Sequence, residues 1–153
     1  MSQTGDAAQA TLVASRALLG VVARSVASAL EVVTLPQFRV LVVLTNTGPL
    51  RLGALAEHLN ANTSTFSRSV DRLVAGGWVR RTPSPDSRRE VIIELTASGK
   101  ALVEEVTDRR RAELAHILGK LSTEEQESVR IALQLLADAA GESSAQELLV
   151  LGI

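Results

Sequence analysis

The stretch from residue 52 to residue 95 leaves few folds open to this chain. It reads as a short helix (53–59), a polar break at Asn60-Ala61-Asn62 and a second helix (63–75). Gly76-Gly77 follows, then a strand (78–81), a turn built from Pro83-Ser84-Pro85-Asp86-Ser87, and a return strand (90–95). Leu52, Leu55, Ala56 and Leu59 mark the buried side of the first helix. In the second, Phe66, Val70, Leu73 and Val74 fall on one helical face. The glycine pair supplies the positive φ that stops a helix and reverses the chain. Val91, Ile93 and Leu95 alternate with Ile92 and Glu94, so the strands form a hairpin with a proline-limited tip.

Charge sharpens this pattern. The whole chain has a formal net charge of -1, yet residues 63–89 hold Arg68, Arg72, Arg80, Arg81, Arg88 and Arg89 against only Asp71 and Asp86. A locally basic helix and hairpin inside a near-neutral protein is an electrostatic footprint for an anion. Helix, break, helix and basic hairpin together read as a winged helix-turn-helix docking on duplex DNA.

At 153 residues the chain is long enough to bury a real core. Apolar residues make up 46% but aromatics only 2%, so that core is aliphatic and suited to helix packing. Cysteine is absent, which excludes disulfides, thiolate metal sites, a cysteine nucleophile and a thiol redox switch. The first residues, Met1-Ser2-Gln3-Thr4-Gly5-Asp6, show no basic region leading into an apolar run, so no signal peptide is expected. Arg16, Arg24 and Glu31 interrupt the apolar N-terminal stretch before it can span a bilayer. A soluble, cytoplasmic protein is expected, without a membrane partner.

Residues 7–33 read as one long helix, with Asp6 or Thr4 as N-cap. Leu12, Leu19, Val22, Val26, Leu30 and Val33 form one face; Val13, Leu18, Val21 and Val32 widen it. So broad an apolar face needs burial on more than one side, which a partner subunit supplies. An ordinary core helix within a monomer is the alternative. Thr34 with Gln37 fits a capping box and Pro36 falls in the first turn of a helix reaching about Thr45. Phe38 and Val40 to Leu44 place that helix in the core, and Asn46-Thr47-Gly48-Pro49 ends it. Leu50-Arg51-Leu52 is a short extended link. Thr96-Ala97-Ser98-Gly99 starts a helix running to about Leu118, with Leu102, Val103, Val106, Leu114 and Leu118 apolar and Gly119 as terminator. Ser122 and Glu125 make a second capping box, opening a helix to about Ala140 with Val129, Leu133 and Leu136 inside. Ser144 to Glu147 can cap a short apolar tail helix through Leu151, for which a dimer partner is the first expected cover.

A recognition helix presents small polar residues at its first turn, where backbone N–H groups and the helix dipole also favour phosphate. Ser64 and Thr65 meet this need, and Arg68 one turn on reaches guanine O6 and N7. Arg72 lies further along, toward phosphate or a pairing with the neighbours of Asp71. On the hairpin tip, Asp86-Ser87-Arg88-Arg89 suits the adjacent minor groove, where a narrow A·T-rich form concentrates negative potential. Asp86 is expected to orient Arg88 or Arg81 through a charge-assisted hydrogen bond. The DNA-facing set is therefore Ser64, Thr65, Ser67, Arg68, Arg72, Arg81, Asp86, Ser87, Arg88 and Arg89. Read singly, these side chains equally decorate a solvated helix and loop; helix and hairpin together favour DNA.

Leu55-Ala56-Glu57-His58-Leu59, then Ser67-Arg68-Ser69-Val70-Asp71-Arg72-Leu73-Val74, then Gly77-Trp78-Val79-Arg80-Arg81 resemble the core of a MarR-family transcriptional regulator. Asp86-Ser87-Arg88-Arg89 leading to Leu95-Thr96-Ala97-Ser98-Gly99-Lys100 resembles that family's wing signature and the helix start after it. The ordered match spans about residues 34–118. The resemblance implies a mainly α fold with a small β wing: an N-terminal dimerisation helix (1–33), a winged helix-turn-helix lobe (34–95) and C-terminal dimerisation helices (96–153). It also implies a homodimer on a pseudo-palindromic operator. By position, Ser64, Thr65 and Arg68 match base- and phosphate-contacting residues and Arg88 matches the wing-tip arginine. Members usually repress transcription, and many release DNA when a small aromatic or anionic effector binds between the dimerisation helices and the lobe. Arg16, Arg24 and Arg39 are candidates to face an anion, and each is equally a surface or salt-bridged arginine.

Two other classes compete. A winged helix used as a protein-interaction module without DNA is disfavoured by the basic wing, because protein interfaces deplete charge at their centres. An enzyme is disfavoured because Glu104, Glu105, Glu124 and Glu125 follow helix-surface spacing and no Gly-rich phosphate loop or nucleophile triad appears. No cofactor is expected. His58 and His116, the only histidines, lie on different helices with no neighbouring ligand cluster, so no metal is expected either.

Overall fold

Helices begin where the capping residues stand. The computed structural model describes residues 2–141. Its elements are α1 (Gln3–Val26), α2 (Leu35–Thr47), β1 (Leu50–Arg51), α3 (Leu52–His58), α4 (Thr63–Ala75), β2 (Val79–Pro83), β3 (Val91–Leu95), α5 (Ala97–Leu118) and α6 (Thr123–Ala140), with a 3-10 turn at Ala29–Glu31. Both expected capping boxes form. Thr34 Oγ1 accepts from Gln37 N at 3.3 Å while Gln37 Oε1 accepts from Thr34 N at 2.8 Å. Ser122 and Glu125 repeat the exchange at 3.2 and 2.8 Å. Such caps satisfy N–H groups that have no partner within the helix.

The core runs along α2, whose Phe38, Val40, Leu41, Val42, Val43 and Leu44 are all buried. Leu55 of α3, Phe66, Val70 and Leu73 of α4, Ile93 of β3 and Val103 and Val106 of α5 join the same cluster. An aliphatic helix buried on nearly every side makes α2 the post on which the DNA-facing elements hang. The sheet order is β1-β3-β2, all antiparallel. Ile93, at its centre, pairs with Leu50 on one side and Arg81 on the other, and it is completely buried. The expected extended link at 50–52 is thus partly a third strand, which two residues are too few to announce by alternation. The hairpin strands are Val79–Pro83 and Val91–Leu95, so β2 runs two residues further toward the tip than expected while β3 starts one residue later.

The N-terminal region departs most from expectation. One helix over 7–33 is replaced by α1, which starts at Gln3 under a Ser2 cap (Oγ to Gly5 N, 3.2 Å), followed by the separate 3-10 turn. Neither Asp6 nor Thr4 is the cap. The chain breaks without a glycine or proline because the turn lets Ala29 and Val33, 0% and 5% exposed, enter the core. Only the C-terminal third of α1 is buried, through Val21, Ser25 and Val26, while Leu12 and Leu19 stand 48% and 58% exposed. Likewise α6 has no buried residue: Leu133 and Leu136, expected inside, are 46% and 47% exposed. Val74, grouped with the buried face of α4, sits at its rim and is exposed. Among the described residues no helix is long and apolar enough to cross a membrane. The expected tail helix at 144–151 lies outside the described residues.

Candidate nucleic-acid interface

α4 is held from behind by Phe66, Val70 and Leu73, which are packed into the core, so its opposite face must meet solvent. Asn62 caps it, its Oδ1 accepting from Ser64 N at 3.1 Å and from Ser64 Oγ at 3.0 Å. Ser64, Thr65, Arg68 and Arg72 are exposed, whereas Ser67 is half-buried. At the other end Gly77, with φ 77°, reverses the chain; Gly76 is conventional at φ -75°, so one glycine of the pair does the turning. β2 then leads outward to a tip spanning 84–90.

The tip is folded on itself. Ser84 is buried, its N–H donates to Glu90 O at 3.0 Å and its Oγ accepts from Asp86 N at 3.3 Å. Ser87, expected to face DNA, is half-buried and turns its Oγ to Arg89 N at 3.3 Å. These local bonds aim Arg88 and Arg89 into solvent, and both are exposed.

The arginines divide into two groups. Arg80 pairs with Glu94 across the hairpin at 3.1 Å. The hydrogen bond first, and the charge second, hold the Glu94 carboxyl below its ordinary value and raise the Arg80 guanidinium. Arg81 reaches back to α4, pairing with Asp71 at 2.7 Å and donating to Ser67 O at 3.4 Å. By contrast, Arg68, Arg72, Arg88 and Arg89 make no ion pair among the described residues.

Asp86 does not orient Arg88 or Arg81. Its partner is Arg51, the residue before α3, at 3.5 Å, and Arg51 also pairs with Glu90 at 3.2 Å. The reason is the third strand: pairing of β1 with β3 carries Arg51 beside the base of the tip. Sequence reading missed Arg51, because its partners become neighbours only through that sheet. Exposed ion pairs are each worth only about 0–1 kcal/mol. The value of Arg51–Asp86/Glu90 and Arg81–Asp71 is therefore orientation: one ties the hairpin tip to the start of α3, the other ties β2 to α4. The four unpaired arginines are carried on a single braced unit.

Of the arginines considered for an anion elsewhere, Arg24 is committed to Glu113 of α5, its Nε and Nη2 at 2.8 and 2.5 Å from Oε1. Arg110 of α5 donates to the buried Ser25 Oγ at 3.1 Å, and burial lowers its pKa. Arg39 lines a cleft of about 550 Å³ against α4. His58 Nδ1 lies 2.9 Å from Ala54 O within its own helix.

A family model described as the MarR family matches residues 33–91, which run from the approach to α2 into β3. An uncharacterized HTH-type transcriptional regulator of Bacillus subtilis, YfiV, is 33% identical over 106 residues, covering 69% of this chain and 66% of that protein, just under two thirds of its length. An HTH-type regulator of Mycobacterium bovis is 32% identical over 111 residues, covering 72% of this chain and 78% of the other. Among solved structures, RV1404 from Mycobacterium tuberculosis superposes with a TM-score of 0.81 at 39% identity, over 93% of this chain and 97% of that one.

Proposed function

The chain belongs to the MarR family of winged-helix transcriptional regulators, and on that premise we propose that it is a homodimeric repressor acting in the cytoplasm. It binds a pseudo-palindromic operator, one lobe per half-site, and leaves it when a small molecule binds. α4 enters the major groove with Ser64, Thr65 and Arg68 toward base edges and Arg72 toward phosphate. Arg88 at the tip enters the neighbouring minor groove, with Arg89 beside it on the backbone. Arg81 and Asp86 serve as braces, and Ser67 and Ser87 shape the surface beneath the contacts.

The observation that carries this reading is the selective pairing of cations. Arg51, Arg80 and Arg81 are neutralised by carboxylates, while Arg68, Arg72, Arg88 and Arg89 stand free on α4 and the tip. A protein-interaction module has no use for four exposed, unpaired cations on a braced unit, since uncompensated charge is depleted at interface centres. Two half-sites need two lobes. The exposed leucines of α1 and α6 support that arrangement, because such aliphatic rows call for a cover that a second copy supplies.

Fluorescence anisotropy with operator DNA, selected from genomic fragments the protein retains, tests the reading. With about four phosphates neutralised per dimer, log K should fall against log salt with a slope of roughly -4. A flat salt response removes DNA from the function and leaves the protein-interaction module. Arg88→Ala should weaken operator binding by about 1–3 kcal/mol with no change in folding, since the side chain makes no ion pair among the described residues. Unchanged affinity in that variant takes the wing tip out of the interface.

A further inference from the structure

We propose that Arg39 of α2 contacts DNA, holding a phosphate of the operator strand that borders α4 on the side away from the wing. This rests on the DNA-binding regulator reading and adds to it a second backbone and a residue outside α4 and the tip. An α-helix with its side chains is about 10–12 Å across and the major groove about 12 Å wide, so a helix seated there has a phosphate backbone on each flank. Arg88 and Arg89, on the tip, serve one flank only.

The helical period separates the two flanks. At about 100° per residue, Ser67 and Asp71 fall on one edge of the exposed face of α4, Thr65 and Ser69 fall on the other, and Ser64 and Arg68 lie between them. The first edge carries the hairpin, where Arg81 of β2 meets Asp71 at 2.7 Å. The second edge borders the cleft of about 550 Å³, whose lining includes Thr65 and Ser69 of α4 together with Pro36 and Arg39 of α2. On this side α4 itself offers Arg72, about two turns beyond Thr65. Beside its first turn the cation is Arg39.

The chemistry of the cleft suits a phosphodiester. Arg39 is the only charged residue in the lining, so no carboxylate there repels an anion. Its Nε is buried with no hydrogen-bond partner, the only such side-chain atom among the described residues. Buried donors are normally paired, and one on a cation is costly to leave empty. The side chain therefore has no internal bond to give up at that nitrogen when its fork turns to an incoming phosphate oxygen. Neutral donors stand beside it. Asn62 commits its Oδ1 to Ser64, which leaves its Nδ2 to donate, and the Ser69 hydroxyl shares the same lining. A cation with neutral amide and hydroxyl donors is the usual set for a DNA backbone.

Anisotropy titrations of the full chain across a salt series test the contact, using the retained operator and a scrambled duplex of equal length. One Arg39 contact per lobe adds to the four phosphates counted above, so Arg39→Gln should flatten the slope of log K against log salt by about 2. At fixed salt it should weaken both duplexes by about tenfold or more and keep the ratio between them, because a phosphate contact carries no sequence information. Arg39→Lys keeps the charge and should keep the wild-type slope. Neutral methylphosphonates, placed symmetrically in the two half-sites, then locate the partner without altering the protein. One position, on the strand flanking α4 opposite the wing, should cost the wild type about tenfold and Arg39→Gln almost nothing. If Arg39→Gln does not fold, Ser69→Leu, which fills the cleft from the α4 wall, should show the same flattened slope and the same insensitivity. Equal slopes for variant and wild type, a loss confined to the operator, or no sensitive phosphate on that strand overturns the contact and leaves the regulator reading standing. A flat wild-type slope strikes the regulator reading itself.

Discussion

Gly99→Ala is expected to destabilise the protein by about 3 kcal/mol, read as a lowered denaturation midpoint in urea or heat. A Cβ built on Gly99 falls 2.1 Å from the Trp78 carbonyl oxygen and 3.0 Å from Leu95 Cδ2. The leucine can rotate away, but the carbonyl cannot. Trp78 O accepts from Thr96 N at 3.2 Å and from Thr96 Oγ1 at 3.0 Å, and that same Oγ1 caps α5 by accepting from Gly99 N at 3.2 Å. Relieving the clash means lifting the first turn of α5 off the base of the hairpin and breaking those bonds together. The better helix propensity of alanine, about 1 kcal/mol, does not offset this. Gly53→Ala is the matched control: nothing lies within 4 Å of its Cβ, so alanine should be neutral or stabilise by about 0.5–1 kcal/mol. Equal midpoints for the Gly99 and Gly53 variants would refute the close approach.

That contact explains why Leu95-Thr96-Ala97-Ser98-Gly99 is legible in sequence as a helix start. The threonine caps, and the glycine admits the hairpin backbone. Much of the fold was readable for the same reason, in that local chemistry decided it. Thr34 and Ser122 cap reciprocally, and Gly48, at φ 78°, ends α2 where Asn46-Thr47-Gly48-Pro49 was expected to. What could not be read depended on partners distant in sequence. The break after Val26 follows from burial of Ala29 and Val33, not from a breaker residue. Two residues of β1 carry no alternation to detect, and with β1 went the position of Arg51.

For the candidate site the lesson is similar. Residue type and spacing located α4 and the tip, because a basic exposed face opposite Phe66, Val70 and Leu73 is a one-dimensional pattern. They did not separate contact from brace. Arg68 and Arg81 look alike in sequence; one stands free, whereas the other spans from β2 to Asp71 at 2.7 Å. Asp86 was expected to orient Arg88 or Arg81; its partner is instead Arg51, which ties the tip to the start of α3. Arg39 offered even less, since nothing in its neighbours announces a buried, unpaired Nε. Which charges are free is a property of the packed structure.

Combining Leu12→Glu with Leu136→Glu should convert the proposed dimer to a monomer and lower operator affinity by about 10²–10⁴-fold. These leucines, from α1 and α6, border one groove within a chain and are 48% and 47% exposed there. Replacing them therefore spares the core that runs along α2, and the variant should keep its helical signal. In a dimer that covers both helices, four carboxylates would lose water without gaining partners, a penalty far above the aliphatic contact they replace. The large loss on DNA follows from linkage of the two lobes. A second lobe held at millimolar effective concentration multiplies the affinity of the first, and a monomer forfeits that factor while each lobe remains intact. Sedimentation velocity and anisotropy read the two effects separately. A variant that sediments as a dimer removes α1 and α6 from the interface. A monomer that binds the full operator as tightly as the wild type removes the two-lobe arrangement, and with it the reason for leaving these leucines on the surface of a single chain.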